Sequence, residues 1–211
     1  MIKSADQPLS TQKNLYTKFM TITQKKTPKN YIVWLVIGMV LLATIGRLLL
    51  ISNNWPVTNS DEATMALMAR HIAQQREWPL MFYGQGYMGA IEAYVAAPFF
   101  LLTGPSLVGL RIGLLLFYAC FVIALFFHTR FLSSQKFAVF SSLLLCLGSK
   151  EIIARQLKAI GGYPELPLLA ILLCILVVKI VWSDDERSLQ QRRFLYALFG
   201  LLSGISLWID F

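Results

Sequence analysis

Charge is scarce in this chain. Only 14% of the 211 residues are charged, against about 25% in an ordinary soluble domain, while 56% are hydrophobic. Mean hydropathy is +0.60. That balance excludes a typical soluble domain and points to an integral membrane protein. Cysteine is nearly absent, and Cys120, Cys146 and Cys174 all sit inside apolar runs, where they act as small hydrophobes and say nothing of the redox compartment. His71 and His128 stand far apart without ligand spacing, which argues against a zinc site. There is no Walker A motif, no G-x-S-x-G elbow and no triad pattern. A formal G-x-G-x-x-G occurs at Gly84, Gly86 and Gly89, but no βαβ unit surrounds it and residues 104–110 hold no Asp or Glu. Dinucleotide binding is therefore excluded, and the stretch reads as a tight turn flanked by Trp78, Tyr83 and Tyr87. No internal repeat or low-complexity tract is evident.

The bases that are present are unevenly placed. Lys3, Lys13, Lys18, Lys25, Lys26 and Lys29 crowd the stretch before the first apolar run, and they account for much of the net charge of +8. Such clustering follows the positive-inside rule, and it predicts a cytoplasmic tail over residues 1–30. Nucleic-acid binding would need a basic patch on a soluble face, which is not seen. The first apolar run is too long for a signal-peptide core and ends at "ATIGR", a poor cleavage site, so it reads as an anchor.

The expected fold is an all-α integral membrane protein: a multi-span helical bundle with an interfacial, helix-containing outer loop after the first span. A membrane domain is expected over 31–211. Spans are predicted at 31–51, 106–128, 135–150, 166–182 and 194–211, each near the length that crosses about 30 Å of hydrocarbon. Arg47 and Lys179 lie near span ends, where long side chains snorkel. The loops "HTRFLSSQK" and "SDDERSLQQRR" are basic and should be cytoplasmic. That assignment requires 89–103, interrupted by Glu92 and Pro98, to be interfacial or re-entrant and not a span. Residues 52–105 and 150–165 then face the outside, the periplasm in a bacterium, with the chain in the inner (plasma) membrane.

Residues 59–71, "NSDEATMALMARH", place Asp61 and Glu62 side by side soon after the first span. Met65, Met68, Ala69 and Ile72 repeat at helical period, so an amphipathic helix lying on the membrane surface is predicted. Asn59 and Glu62 fit a broader capping box, and acids in a first turn complement the helix dipole. The same geometry suits catalysis. Asp61 at the loop–helix junction is placed to accept a proton from an acceptor, with Glu62 beside it to tune its acidity. Both readings stand on these residues alone.

Glu92 and Arg111 are charges in or beside apolar segments, which makes them functional candidates by default. Arg111 has three readings: a partner for Glu92, a fork for a phosphate, or a snorkelling side chain. In "RQLKAIGGYPELP", Arg155 and Lys158 supply positive charge at the outer surface, while Gly161, Gly162 and Pro164 mark a turn before Glu165. These features also fit a small transporter or channel subunit using Glu92 and Arg111, or a membrane scaffolding protein.

Taken in order, the basic tail, the span, "SDEATMALMARHI", "EWPLMFYGQGYMGAIEAYVAAPFFLLTGPSLVGLRIG" and "GGYPELP" resemble the N-terminal part of polyprenyl-phosphate-dependent GT-C glycosyltransferases. The likeness is to the protein O-mannosyltransferases and the aminoarabinose transferases of lipid A. It spans roughly residues 30–211 and is most specific over 60–112. It implies transfer of a sugar from a polyprenyl-phosphate donor to an extracytoplasmic lipid, glycan or protein. Asp61 would be the base, with Glu62 its partner in the motif, and Arg111 would belong to the active-site face. Glu165 matches a second acid more loosely. Arg155 and Lys158 are assigned to the donor phosphate from charge, and Arg111, Glu165 and Tyr83 are counted with them as substrate- or donor-binding residues. No metal ligand is assigned, because two carboxylates without further oxygens do not define a cation site. The family's chains run more than twice this length, so the sequence reads as the front part of a longer protein, with activity of this part alone in question.

Overall fold

The computed structural model describes residues 30–181 and 188–210. The Lys-rich tail (1–29), Trp182 at the end of the predicted span 166–182, residues 183–187 of the second basic loop and Phe211 lie outside them. The described residues form eight helices and no strand: α1 Asn30–Ser52, α2 Ser60–Ala73, α3 Ile91–Thr103, α4 Leu107–Leu132, α5 Gln135–Leu147, α6 Lys150–Leu157, α7 Glu165–Val181 and α8 Leu189–Ile209. Serine starts four of them. The side chains of Ser106, Ser134, Ser149 and Ser188 each accept a bond from the backbone N–H three residues on, which satisfies a donor that the first turn leaves open.

α1, α4 and α8 are long and apolar enough to cross a membrane, and α5 with α6 adds a fourth crossing if that bent pair counts as one. Their burial differs. Half of the apolar window of α4 is covered by protein, against 17% for α1 and 6% for α8. α4 is accordingly the central helix, packing against α1, α3, α5, α6 and α7. Trp34, Leu42, Leu49, Leu201 and Leu207 stand outward from α1 and α8. Such an apolar exterior is costly in water and suits hydrocarbon.

Two expected elements differ. The predicted span at 135–150 is two helices bent by 77° across Gly148 and Ser149. Gly148 has φ +51, a left-handed conformation that ends α5, and Ser149 caps the next helix at once. The predicted outer loop 150–165 is therefore half helix. Arg47 does not snorkel. It is 3% exposed and reaches inward, its Nε and Nη2 donating to Gln156 Oε1 (3.3 and 2.8 Å) and its Nη1 to the carbonyls of Ala43 and Cys146 (3.3 and 3.1 Å). Its guanidinium also lies 3.8 Å above the Tyr118 ring.

α3 is too short to span, at 13 residues, and runs back along the first half of α4. The two glycines on α4 permit this approach, because a Cβ at Gly109 would meet Phe100 at 3.3 Å and one at Gly113 would meet Val95 at 3.3 Å. The far end of α8 is stitched to the loop before α3. Gly89 N donates to Ile209 O (3.0 Å) and Trp208 Nε1 to Leu80 O (3.0 Å). The loops before α2, before α3 and before α7 thus meet at one end of the bundle.

Candidate functional site

The site is built on the first turn of α2. Asn59, extended at the N-cap, accepts a bond from Glu62 N at 3.1 Å. Met65, Met68, Ala69 and Ile72 all face the core, as their spacing predicts. Only half of the capping box forms, because the Glu62 carboxylate turns away from Asn59. Successive helical residues differ by about 100° around the axis, so neighbouring acids need not share an environment. Here they do not. Asp61 is part-exposed, with Asn59 Nδ2 and Ser60 Oγ at 3.5 Å from its two oxygens, the outer limit of a hydrogen bond. Glu62 is fully buried.

Glu62 and Arg111 form a two-pronged ion pair: Nε to Oε1 at 2.9 Å and Nη2 to Oε2 at 2.7 Å. Arg111 Nη2 also donates to Pro56 O at 2.7 Å, and Ala159 N approaches Glu62 Oε1 at 3.4 Å. One pair thus fastens α2, α4, the loop before α2 and the loop before α7. Arg111 pairs with Glu62 and not with Glu92, and at 0% exposure it neither snorkels nor offers its fork to an outside phosphate. Only its Nη1 lacks a partner.

Glu92, on α3, is also fully buried and accepts from Gly161 N at 3.1 Å. Glu165, the first residue of α7, accepts from Gly162 N at 3.0 Å. Burial first, and the neighbouring Glu165 charge second, push the Glu92 carboxyl well above the usual carboxylate range. Lys158 follows α6 and is part-exposed; Arg155 is exposed and sits 5.1 Å above the Tyr163 ring. Both bases therefore flank the loop before α7.

Tyr83 lies elsewhere, in a small network at the end of α2. Its hydroxyl donates to Glu77 Oε2 and lies 2.8 Å from His71 Nδ1. Burial, and then the Glu77 carboxylate, push the phenol up to about 12. His71 and Glu77 carry no sequence signal, since a histidine at a helix end and a loop acid are ordinary features. Gln156 and Tyr118, which hold Arg47, were equally unmarked. Among the described residues no group of three or more His, Cys, Asp or Glu is arranged to hold a metal ion. At the opposite end of the bundle, Lys179, Ser188, Gln191 and Phe194 line an open hollow away from these acids.

The arrangement gives the two adjacent acids different surroundings. Glu62 fixes the helix and meets Ala159 N, just after Lys158, while Asp61 is left part-exposed with only Asn59 and Ser60 near it. The chain matches no family model, no curated protein and no solved structure.

Proposed function

We propose that this chain is a membrane-embedded glycosyltransferase, a multi-span bundle of the GT-C kind with its N-terminus in the cytoplasm and α2 at the outer membrane surface. The donor is a sugar on a polyprenyl phosphate, and the acceptor is an extracytoplasmic hydroxyl or amine. The observation that carries this reading is the split of the acidic pair: Glu62 is spent in a buried ion pair, while Asp61 remains accessible on the same rigid turn.

In this mechanism Asp61 accepts the proton of the acceptor as that oxygen or nitrogen attacks the anomeric carbon. The bond from that carbon to the phosphate oxygen breaks, and the polyprenyl phosphate leaves with the electron pair. Charge developing on the phosphate is met by Lys158 and Arg155, cations placed where they act on the transition state. Glu62 and Arg111 hold the turn in position and touch no substrate, which revises the role of each.

The test is transfer of a labelled sugar from a polyprenyl-phosphate donor by the full chain in lipid nanodiscs. Asp61→Asn is expected to lower the rate about 10²–10⁴-fold, the usual contribution of a positioned base. No transfer by the wild type, or undiminished transfer by Asp61→Asn, overturns the proposal. A transporter working through Glu92 would instead tolerate Asp61→Ala and fail with Glu92→Ala.

A further inference from the structure

We propose that Glu92 and Glu165 form a buried one-proton site that latches the 158–165 loop against α3 and α7. The proposal does not rest on glycosyl transfer. Glu92 is 0% exposed and Glu165 is 1% exposed, and they come from different helices. Consecutive backbone amides, Gly161 N and Gly162 N, each hold one oxygen of one carboxyl, at 3.1 and 3.0 Å. Neighbouring amides are only a few ångströms apart, about one residue's 3.8 Å step along the chain, so the two carboxyls are brought side by side. Their other oxygens, Glu92 Oε1 and Glu165 Oε2, are buried and have no donor among the described residues.

Two carboxylates in that position would repel across a poorly solvated gap. One proton resolves this. Held on either oxygen, it donates to the other, and the short charge-assisted bond supplies what both oxygens lack. The surrounding charges do not remove the need for it. Glu62 on α2 faces the site but is neutralised by Arg111 on α4, and Asp210 beyond α8 adds another acid, its Oδ2 3.3 Å from where a Gly162 Cβ would stand. Among the described residues no cationic side chain forms an ion pair with either carboxyl. A divalent ion would require more oxygen ligands than these two residues provide.

The loop is shaped to be held in this way. Gly161 and Gly162 have φ +80 and +78, which L side chains rarely adopt, and a Cβ at Gly161 would fall 1.8 Å from Met88 Sδ. The loop is thus pressed against the turn before α3, and the amide clamps depend on the two acids staying together. Losing the shared proton at high pH puts a second charge in the gap, so the loop loosens as pH rises.

The first test needs no variant. Infrared spectra of the full chain at neutral pH, in a detergent without ester carbonyls, should show the carbonyl stretch of a protonated carboxyl from this pair, which has no countercharge of the kind that Arg111 gives Glu62. Its absence overturns the proposal. Glu92→Gln and Glu165→Gln should each abolish that band, since the glutamine amide donates in the proton's place and leaves its partner ionised. A band that survives in both overturns the assignment to this pair. The latch is read by maleimide labelling of Tyr163→Cys in a background with the native cysteines changed to serine. Its rate should rise with pH beyond the thiol's own ionisation, and this excess should vanish with Glu92→Gln. Equal pH profiles in the two backgrounds overturn the latch.

Discussion

Arg47 and Arg111 are both almost wholly buried, yet their charges are compensated in opposite ways. Arg111 meets a carboxylate head-on in Glu62. Among the described residues Arg47 meets no acid: it is held by the Gln156 amide, the Ala43 and Cys146 carbonyls and the Tyr118 ring. The Cys146 carbonyl belongs to the last turn of α5, which is left open where the chain breaks at Gly148, and a cation there also complements the negative end of the helix dipole. One arginine therefore joins helices by countercharge, and the other joins a broken helix to α1 by dipoles. The difference implies different consequences of loss, because only the first leaves a buried acid without its countercharge.

Arg111→Met should have the largest effect, since Glu62 would stay buried with its countercharge gone. Breaking a buried pair in this way costs about 3–5 kcal/mol. The double variant Arg111→Met with Glu62→Met should recover most of that loss in thermal unfolding of the full chain. Failure to recover would mean that the pair contributes through packing and not through charge. Arg47→Met comes next. It leaves the Cys146 carbonyl and Gln156 unsatisfied but no bare charge, a cost of about 1–3 kcal/mol. If Arg47→Met proves as costly as Arg111→Met, the distinction between the two sites fails.

Local features were readable and distant ones were not. "NSDE" followed by Met65, Met68, Ala69 and Ile72 marks both the start and the buried face of α2, because capping and helical period act within a few residues. The apolar runs marked α1 and α4 to within a few residues for the same reason. The partner of Arg111 was not readable. Glu62 and Glu92 are both acids near apolar segments, and the choice between them depends on how α2 and α3 dock on α4. Arg47 looked like a snorkelling residue because its place near a span end says nothing of Gln156, 109 positions away. The break in the 135–150 span had a visible signal in Gly148-Ser149, but a short apolar run with a glycine near its end also describes an unbroken helix.

Asp61→Asn should barely change stability. Asp61 is part-exposed and has only marginal hydrogen bonds, so losing its charge at the α2 N-terminus costs about 0.3–1 kcal/mol. Glu62→Gln, one residue away, should unfold far more readily by weakening the Arg111 pair. Equal melting shifts for the two would contradict the split between an accessible acid and a structural one.

The smallest effect is expected at Tyr83→Phe, outside both arginine sites. At neutral pH the substitution removes bonds at the surface and should change stability by no more than about 0.5 kcal/mol. The contrast appears in alkali. Burial, and then Glu77, raise the folded phenol from 10.0 to about 12, so the unfolded chain loses this proton first. Stability from this group is complete below pH 10 and is lost as pH rises towards about 12. The wild type should therefore lose more of its melting temperature over that interval than Tyr83→Phe does. Parallel alkaline profiles would mean that the Tyr83 hydroxyl is solvated in the folded protein and not held by Glu77 and His71.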